Sequence, residues 1–313
     1  MPKPHILMPG SYAQAEMEIL ERDYTLHKLW EQQDKTAYLL KHGAEIKAIA
    51  TRGDLGASKA LIDQLPNLEI ISCFGVGVDA IDLAVCKARG IQVTNTPDVL
   101  NEDVADLALA LMLGIARHIP QADAYTRASK WPTSSYPLQK RMNTKRLGLI
   151  GMGRIGQAIA KRAESFSMPI SYHSRQPRTD IVYKHYASPV ELAQNSDFLV
   201  AILPGGKETE KLINAKVLTA LGPQGYFINV ARGSVVDEEA LLTALENKTI
   251  AGAGLDVFWN EPEINPRFLK LDNVVLSPHC GSGTAETRAA MGKLVRDNLT
   301  AHFSGKPLLT AFV

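Results

Sequence analysis

Short runs of β-branched and apolar residues alternate along the chain with segments whose apolar positions recur at helical spacing. HILM, IKAIAT, LEIISCF and IQVTN predict buried strands, and QAEMEILER, KTAYLLKHG, ASKALIDQL and AIDLAVCKARG predict the helices between them. Such βα alternation predicts a parallel sheet covered by helices on both faces. The pattern changes at NTPDVLNEDVADLALALMLGIARHIP, where Pro97 closes a strand and Asn101 is placed to cap a long helix. The middle of that helix, LALALMLGIA, is apolar on every side, which predicts burial all round, as a central pillar or as part of a subunit interface.

A second series follows. Its predicted strands are RLGLI, PISYH, DFLVAIL, GYFINV, IAGAGLDV and NVVLSPH, with helices at about 154–166, 189–194, 214–220 and 237–246. A last helix, from about Thr284 to Phe303, lies beyond the final strand, and periodicity does not say which unit it joins. The boundary between the two doubly wound units falls near residues 98–100, and no internal repeat interrupts them.

Composition adds little to this frame. At 313 residues the chain is comfortable for two domains, and its 45% hydrophobic content is ordinary for a soluble protein. A net charge of +1 gives no reason to expect nucleic acid or an acidic membrane surface. Cys73, Cys86 and Cys280 are widely spaced, with neither metal-ligand spacing nor a disulfide framework; no metal is expected, and a reducing compartment is. No apolar run is long enough for a signal peptide or a membrane span, so a cytoplasmic protein is expected.

The chemistry begins at LGLIGMGRIGQAIA. Gly151, Gly153 and Gly156 form G-x-G-x-x-G directly after a strand and at the start of an amphipathic helix. The first glycine permits the tight turn, the second lets backbone approach a pyrophosphate, and the third lets helix pack on strand. The first turn of that helix, with Arg154 and Ile155, offers unpaired N–H groups to the phosphates. In an NAD-binding unit the next strand usually ends in a carboxylate for the ribose 2′-hydroxyl. Here it ends in HSRQPR, and Asp180 comes only after two arginines. Ser174 can donate to a 2′-phosphate and Arg175 can clamp one, which favours NADP(H) over NAD(H); as plain solvated residues, Arg175 and Arg178 would carry no such preference.

Ligands of open α/β sheets bind outside the carboxyl ends of the strands. Just past three such ends stand Arg232, Glu261 and His279. Reduction of a 2-oxo acid needs a hydride at the carbonyl carbon and a proton for its oxygen. His279 as imidazolium can give that proton, and Glu261 at the other ring nitrogen would orient the ring and favour its charged form. Arg232 can hold the substrate carboxylate or the carbonyl oxygen.

These segments resemble the D-isomer-specific 2-hydroxyacid dehydrogenases nearly end to end. GVGVDAIDL, GMGRIGQAIA, INVARGSVVDEEAL, GLDVFWNEP and SPHCGSGT stand in the family's order and approximate spacing. The HSRQPR turn looks most like the glyoxylate/hydroxypyruvate reductases that use NADPH. The resemblance implies a flavodoxin-like substrate domain (1–98 plus 284–313, the last helix returning to it) and a Rossmann cofactor domain (99–283). It implies that Arg232, Glu261 and His279 are the catalytic arginine, acid and histidine. Val76 and Gly77 match the loop whose amides hold the substrate carboxylate. Asp256 matches a residue near the nicotinamide carboxamide, and Leu203, Thr209, Val230, Gly281 and Ser282 match further cofactor contacts. A homodimer through the helix and arm of residues 100–145 is also implied.

The sequence departs from the family pattern after the histidine, where Cys280 and Gly283 replace two commoner residues. Cys280 is expected to pack behind the imidazole, since nothing positions a base to make it a nucleophile. Arg52 could reach a substrate carboxylate or lie on the surface, and Trp131 could line a pocket or simply pack. Two other functions stay open: a dehydrogenase for a bulkier acid, phosphoglycerate or an aromatic one, and a dinucleotide-sensing corepressor-like binding module on the same fold.

Overall fold

The computed structural model describes residues 3–313. The chain forms two compact units, one of residues up to Leu100 together with Thr284–Val313, the other of Asn101–Gly283. No helix among the described residues is long and apolar enough to cross a membrane.

Unit 1 opens with β1 (His5–Met8), α1 (Gln14–Asp23), β2 (Thr25–Lys28), α2 (Lys35–His42), β3 (Ile46–Arg52), α3 (Lys59–Ile62), β4 (Ile70–Phe74), α4 (Leu83–Arg89) and β5 (Gln92–Thr94). All strands pair in parallel in the order β2-β1-β3-β4-β5, the flavodoxin-like order. Leu7, Ile46, Ile49, Ile71 and Val93 are fully buried, as strands covered on both faces require. β2 (TLHK) was not expected; it is a short edge strand with little apolar signal. α3 is shorter than ASKALIDQL predicts. Arg89 explains the early stop, since its guanidinium donates to the carbonyls of Ile62, Leu65 and Pro66 and so satisfies groups a longer helix would pair internally.

Unit 2 runs α5 (Asn101–Arg117), α6 (Ile119–Arg127), β6 (Leu147–Ile150), α7 (Arg154–Glu164), β7 (Ile170–His173), β8 (Lys184–His185), α8 (Pro189–Gln194), β9 (Phe198–Ala201), α9 (Ala215–Leu221), β10 (Tyr226–Asn229), α10 (Glu238–Glu246), β11 (Gly252–Leu255) and β12 (Val274–Leu276). Its seven strands follow the order β12-β11-β10-β9-β6-β7-β8, so the direction of winding reverses between β6 and β9. The chain then rejoins unit 1 through α11 (Ala285–Phe303), which packs on β4 and α1. Val313 finally accepts a backbone hydrogen bond from Val93 of β5 at 2.9 Å.

The long helix differs from expectation twice. It breaks at His118, which adopts φ +48° and starts α6 anew. Nor is α5 buried all round: Glu102, Asp106 and Ala110 form an open stripe, and Arg162 of α7 pairs with both acids. The opposite face presses on β11. There Gly252 and Gly254 leave room for the helix, because a Cβ on Gly254 would stand 2.9 Å from that of Leu111 and one on Gly252 would stand 3.0 Å from Ile115.

Candidate active site

β10, β11 and β12 are adjacent and parallel, so their carboxyl ends open on one edge of the unit 2 sheet. Backbone hydrogen bonds stitch the three loops that follow. Asp256 N donates to Asn229 O at 3.0 Å, Ser277 N to Leu255 O at 2.8 Å, and His279 N to Asp256 O at 2.8 Å. The Asp256 side chain, only 2% exposed, completes the clasp. Its Oδ1 accepts from Ser277 Oγ (2.7 Å) and Cys280 N (2.9 Å), and its Oδ2 from Gly281 N (2.9 Å). This holds His279 at φ +49°, a left-handed conformation that costs a non-glycine residue on the order of 1 kcal/mol.

His279 Nδ1 lies 2.5 Å from Glu261 Oε2, and the carboxylate accepts while the ring N–H donates. Glu261 is fixed in turn by Phe258 N, which donates to Oε1 at 2.8 Å. With Nδ1 so engaged, Nε2 is the nitrogen left to face a substrate. Arg232 sits on the neighbouring loop. The buried amide of Asn229 shapes that turn, donating to Arg232 O and accepting from Ala231 N, each at 3.0 Å. Gly233 brings the Arg232 loop against the segment carrying Glu261, since a Cβ there would fall 2.0 Å from the Phe258 carbonyl. Trp259 Nε1 reinforces the contact by donating to Val236 O at 2.7 Å. A guanidinium and a carboxylate-bound imidazole therefore share one sheet edge.

The glycine loop follows β6, at the point where the winding reverses. Gly151 adopts φ +105°, and a Cβ on it would stand 2.0 Å from Ile202 O, so only glycine fits. Gly156 packs its helix 2.5 Å (from its would-be Cβ) against Gly151 O. Nothing lies within 4 Å of where a Gly153 Cβ would stand, and no side chain caps the first turn of α7. An open glycine face at the N-terminus of α7 fits a dinucleotide pyrophosphate.

The turn after β7 is tied to this loop. Arg178 Nη1 donates to Met152 O at 2.8 Å, while its Nε and Nη2 fork onto Asp180 at 3.0 and 2.5 Å. Hydrogen bonds from Arg178 hold the Asp180 carboxyl below the usual range, so the only acid of the turn is committed to a neighbouring cation. Arg175 is 90% exposed and pairs with Glu208 at 3.2 Å. Ser174 Oγ donates to Gln176 O at 2.6 Å.

The remaining expected residues are dispersed. Leu203 and Thr209 lie on the loop after β9, where Thr209 Oγ1 donates to Pro204 O at 2.8 Å. Val230 is buried, Gly281 is held by Asp256, and Ser282 is half-buried. In unit 1 the carbonyls of Val76 and Gly77 are held by Asn95 Nδ2 (2.8 Å) and Cys73 Sγ (3.6 Å). Arg52 forks onto Asp54 at 3.0 and 2.5 Å, so its charge is already answered. Trp131 is 70% exposed. Cys280 is exposed rather than packed behind the ring, with Sγ 3.0 Å from Ser277 Oγ. Sequence reasoning missed Asn229 and the Arg178–Met152 bond. Asn229 had one signal, an amide ending an otherwise apolar strand, whereas a side chain reaching a distant carbonyl leaves none.

Residues 109–281 match the model of the D-isomer specific 2-hydroxyacid dehydrogenase NAD-binding domain. The chain is 49% identical over 294 residues, 94% of each chain, to glyoxylate/hydroxypyruvate reductase A of Arabidopsis thaliana. It is equally similar, 49% over 94% of each chain, to hydroxyphenylpyruvate reductase of Plectranthus scutellarioides. Among solved structures it resembles an NADPH-dependent glyoxylate/hydroxypyruvate reductase from Sinorhizobium meliloti in complex with NADP and malonate. The TM-score is 0.93 and the identity 44%, over 99% of this chain and 97% of that one.

Proposed function

The chain belongs to the D-isomer specific 2-hydroxyacid dehydrogenase family, and from that premise we propose that it reduces small 2-oxo acids, glyoxylate and hydroxypyruvate, with NADPH. The observation that carries this reading is the Glu261–His279 pair at 2.5 Å on the sheet edge that also bears Arg232.

When bound, the nicotinamide cofactor supplies the hydride for the carbonyl carbon. His279 Nε2 gives the proton to the carbonyl oxygen as negative charge builds there. Glu261 keeps Nδ1 protonated and the ring oriented, and Phe258 N keeps Glu261 in place. The Arg232 guanidinium draws the substrate carboxylate or carbonyl oxygen to the edge and stabilises developing charge. Asp256 positions His279 by clasping the loop on either side of it. Unit 2 is assigned to the cofactor and unit 1 to the substrate, with the backbone amides of Val76 and Gly77 as further contacts for the substrate carboxylate.

NAD(P) fits the loop at Gly151, Gly153 and Gly156, with Leu203, Thr209, Val230, Gly281 and Ser282 as further contacts. NADPH is favoured because the exposed Arg175 can turn from Glu208 to a 2′-phosphate and Asp180, bound to Arg178, does not compete with one; Ser174 joins only by releasing Gln176 O. A homodimer through residues 100–145 accords with the absence of any buried residue in α6 and with the exposed Ile119, Trp131 and Leu138. That Cys73, Cys86 and Cys280 form no disulfide accords with a reducing, cytoplasmic setting.

The test is a panel of glyoxylate, hydroxypyruvate, 3-phosphohydroxypyruvate and 4-hydroxyphenylpyruvate, each assayed with NADPH and NADH. The expected result is the highest kcat/KM for the two small acids with NADPH. Highest efficiency with the aromatic acid would move the substrate to that of the Plectranthus relative, and dinucleotide binding without turnover would leave a binding module.

A further inference from the structure

The most concentrated group of metal-binding side chains outside the sheet edge of unit 2 lies in unit 1. His5 opens β1, His27 lies in β2, His42 ends α2, and Glu45 immediately precedes β3. His5 pairs with Thr25 and Leu7 with His27, so the two strand histidines are diagonal neighbours on one face, which α2 covers with Tyr38 and His42. His5 Nδ1 and His27 Nε2 point at each other across 2.9 Å. Glu45 Oε2 stands 3.6 Å from His5 Nδ1 and 3.2 Å from His42 Nδ1. The donor atoms of His5, His27 and Glu45 all lie within 4.8 Å of one another.

We propose that His5, His27 and Glu45, with His42 completing the shell, bind a divalent first-row transition ion with the preferences of Zn2+. The donor set of imidazoles and a carboxylate suits such an ion and not Mg2+ or Ca2+, which select oxygen. The site is preorganised on distinct elements of the fold. Tyr38 OH lies 2.8 Å from His27 Nδ1 and, as acceptor, fixes the tautomer whose lone pair sits on Nε2, toward the other ligands. Zn–N bonds of about 2.0–2.1 Å in a tetrahedral shell place neighbouring nitrogens about 3.3 Å apart. The spacings of 2.9, 3.2 and 3.6 Å bracket that value, and the half-exposed His5 ring turns so that its lone pair and that of His27 converge on the ion. Bound there, the ion would cross-link β1, β2, the end of α2 and the start of β3, and so act on the stability of unit 1.

The test is calorimetric titration of metal-free protein with Zn2+, in a C280S background so that the exposed thiol cannot compete, followed by Co2+ absorption. A single ion per chain is expected, with tetrahedral d–d bands, no thiolate charge-transfer band, and a rise in Tm with added Zn2+. H5Q and E45Q, both at partly exposed positions and therefore safer for folding than a change at His27, should each weaken Zn2+ about a hundredfold, and Y38F about tenfold. Loss of that site should leave turnover unchanged, since none of these residues belongs to the sheet edge of unit 2. No saturable Zn2+ binding, or binding equally tight in H5Q and E45Q, would overturn the proposal and leave the group a hydrogen-bonded network only.

Discussion

Glu261 Oε2 stands 2.5 Å from Nδ1 of His279, and the same carboxylate takes its second hydrogen bond from Phe258 N. The acid is thereby aimed before any substrate arrives. In E261Q the side-chain amide can present its N–H to Nδ1 and reverse the tautomer, which leaves a neutral ring whose Nε2–H is a far weaker acid than the imidazolium. On the proposed mechanism kcat falls roughly 10²- to 10⁴-fold while cofactor affinity is kept. Steady-state kinetics beside a fluorescence titration with NADPH separates the two quantities; wild-type kcat in E261Q would remove the pair from the mechanism.

Asp256 acts on the same histidine through the backbone. D256N keeps the shape but loses an acceptor for the amides of Cys280 and Gly281. A buried donor left unpaired costs about 1–3 kcal/mol, so the urea midpoint should fall. Because His279 would then wander from its left-handed conformation, kcat should drop more than KM rises. An unchanged kcat with lowered stability would make the clasp structural only.

The turn after β7 separates two arginines by role. Arg175 is exposed and free to swing from Glu208 to a phosphate, whereas Arg178 is locked to Met152 O and Asp180. R175D should reduce kcat/KM for NADPH by about 10- to 100-fold, the worth of one charge-assisted hydrogen bond, and spare NADH. R178A should impair both cofactors, since it frees the turn from the phosphate loop. Equal losses with both cofactors in R175D would refute the division.

Acid should loosen unit 2 through Asp197. Burial pushes its carboxyl up, but three hydrogen bonds from Arg146, at 2.8, 3.0 and 3.2 Å, outweigh burial and hold it below its ordinary value. A group depressed in the folded state stabilises above its unfolded value, about 3.9, and that contribution is lost as pH falls through the folded value. D197N should thus be less stable than wild type at pH 6, and the gap should narrow steadily below about pH 4. Urea unfolding across this range checks it; a constant gap would assign the effect to packing.

Periodicity and glycine spacing made most of the fold legible, because buried parallel strands are continuous apolar runs and a phosphate loop needs glycine at fixed offsets. β2 escaped for the opposite reason: TLHK is a polar edge strand, defined by its pairing with β1 and not by its own residues. The break at His118 escaped because one left-handed residue interrupts a helix without changing its apolar pattern. Arg232, Glu261 and His279 were visible as residues following strand ends. Their supports were not: Asn229 and Phe258 act through short-range bonds within their own loops that no residue type announces, and Asp256, expected near the nicotinamide, clasps the His279 loop from another strand end. The same holds for His5, His27, His42 and Glu45, whose spacing matches no ligand motif and which only the sheet register brings together.

The bare face of β11 has one more effect. With Gly252 and Gly254 presenting no side chains, Leu111 and Ile115 of α5 rest directly on the strand that leads into Asp256, and Val104 of the same helix stands 3.4 Å from where a Cβ on Gly281 would be. A helix that touches no reactant thus serves as the ruler for the reactive edge. Enlarging a side chain along it would push the His279 loop and the glycine loop out of step without altering any polar side chain of the edge.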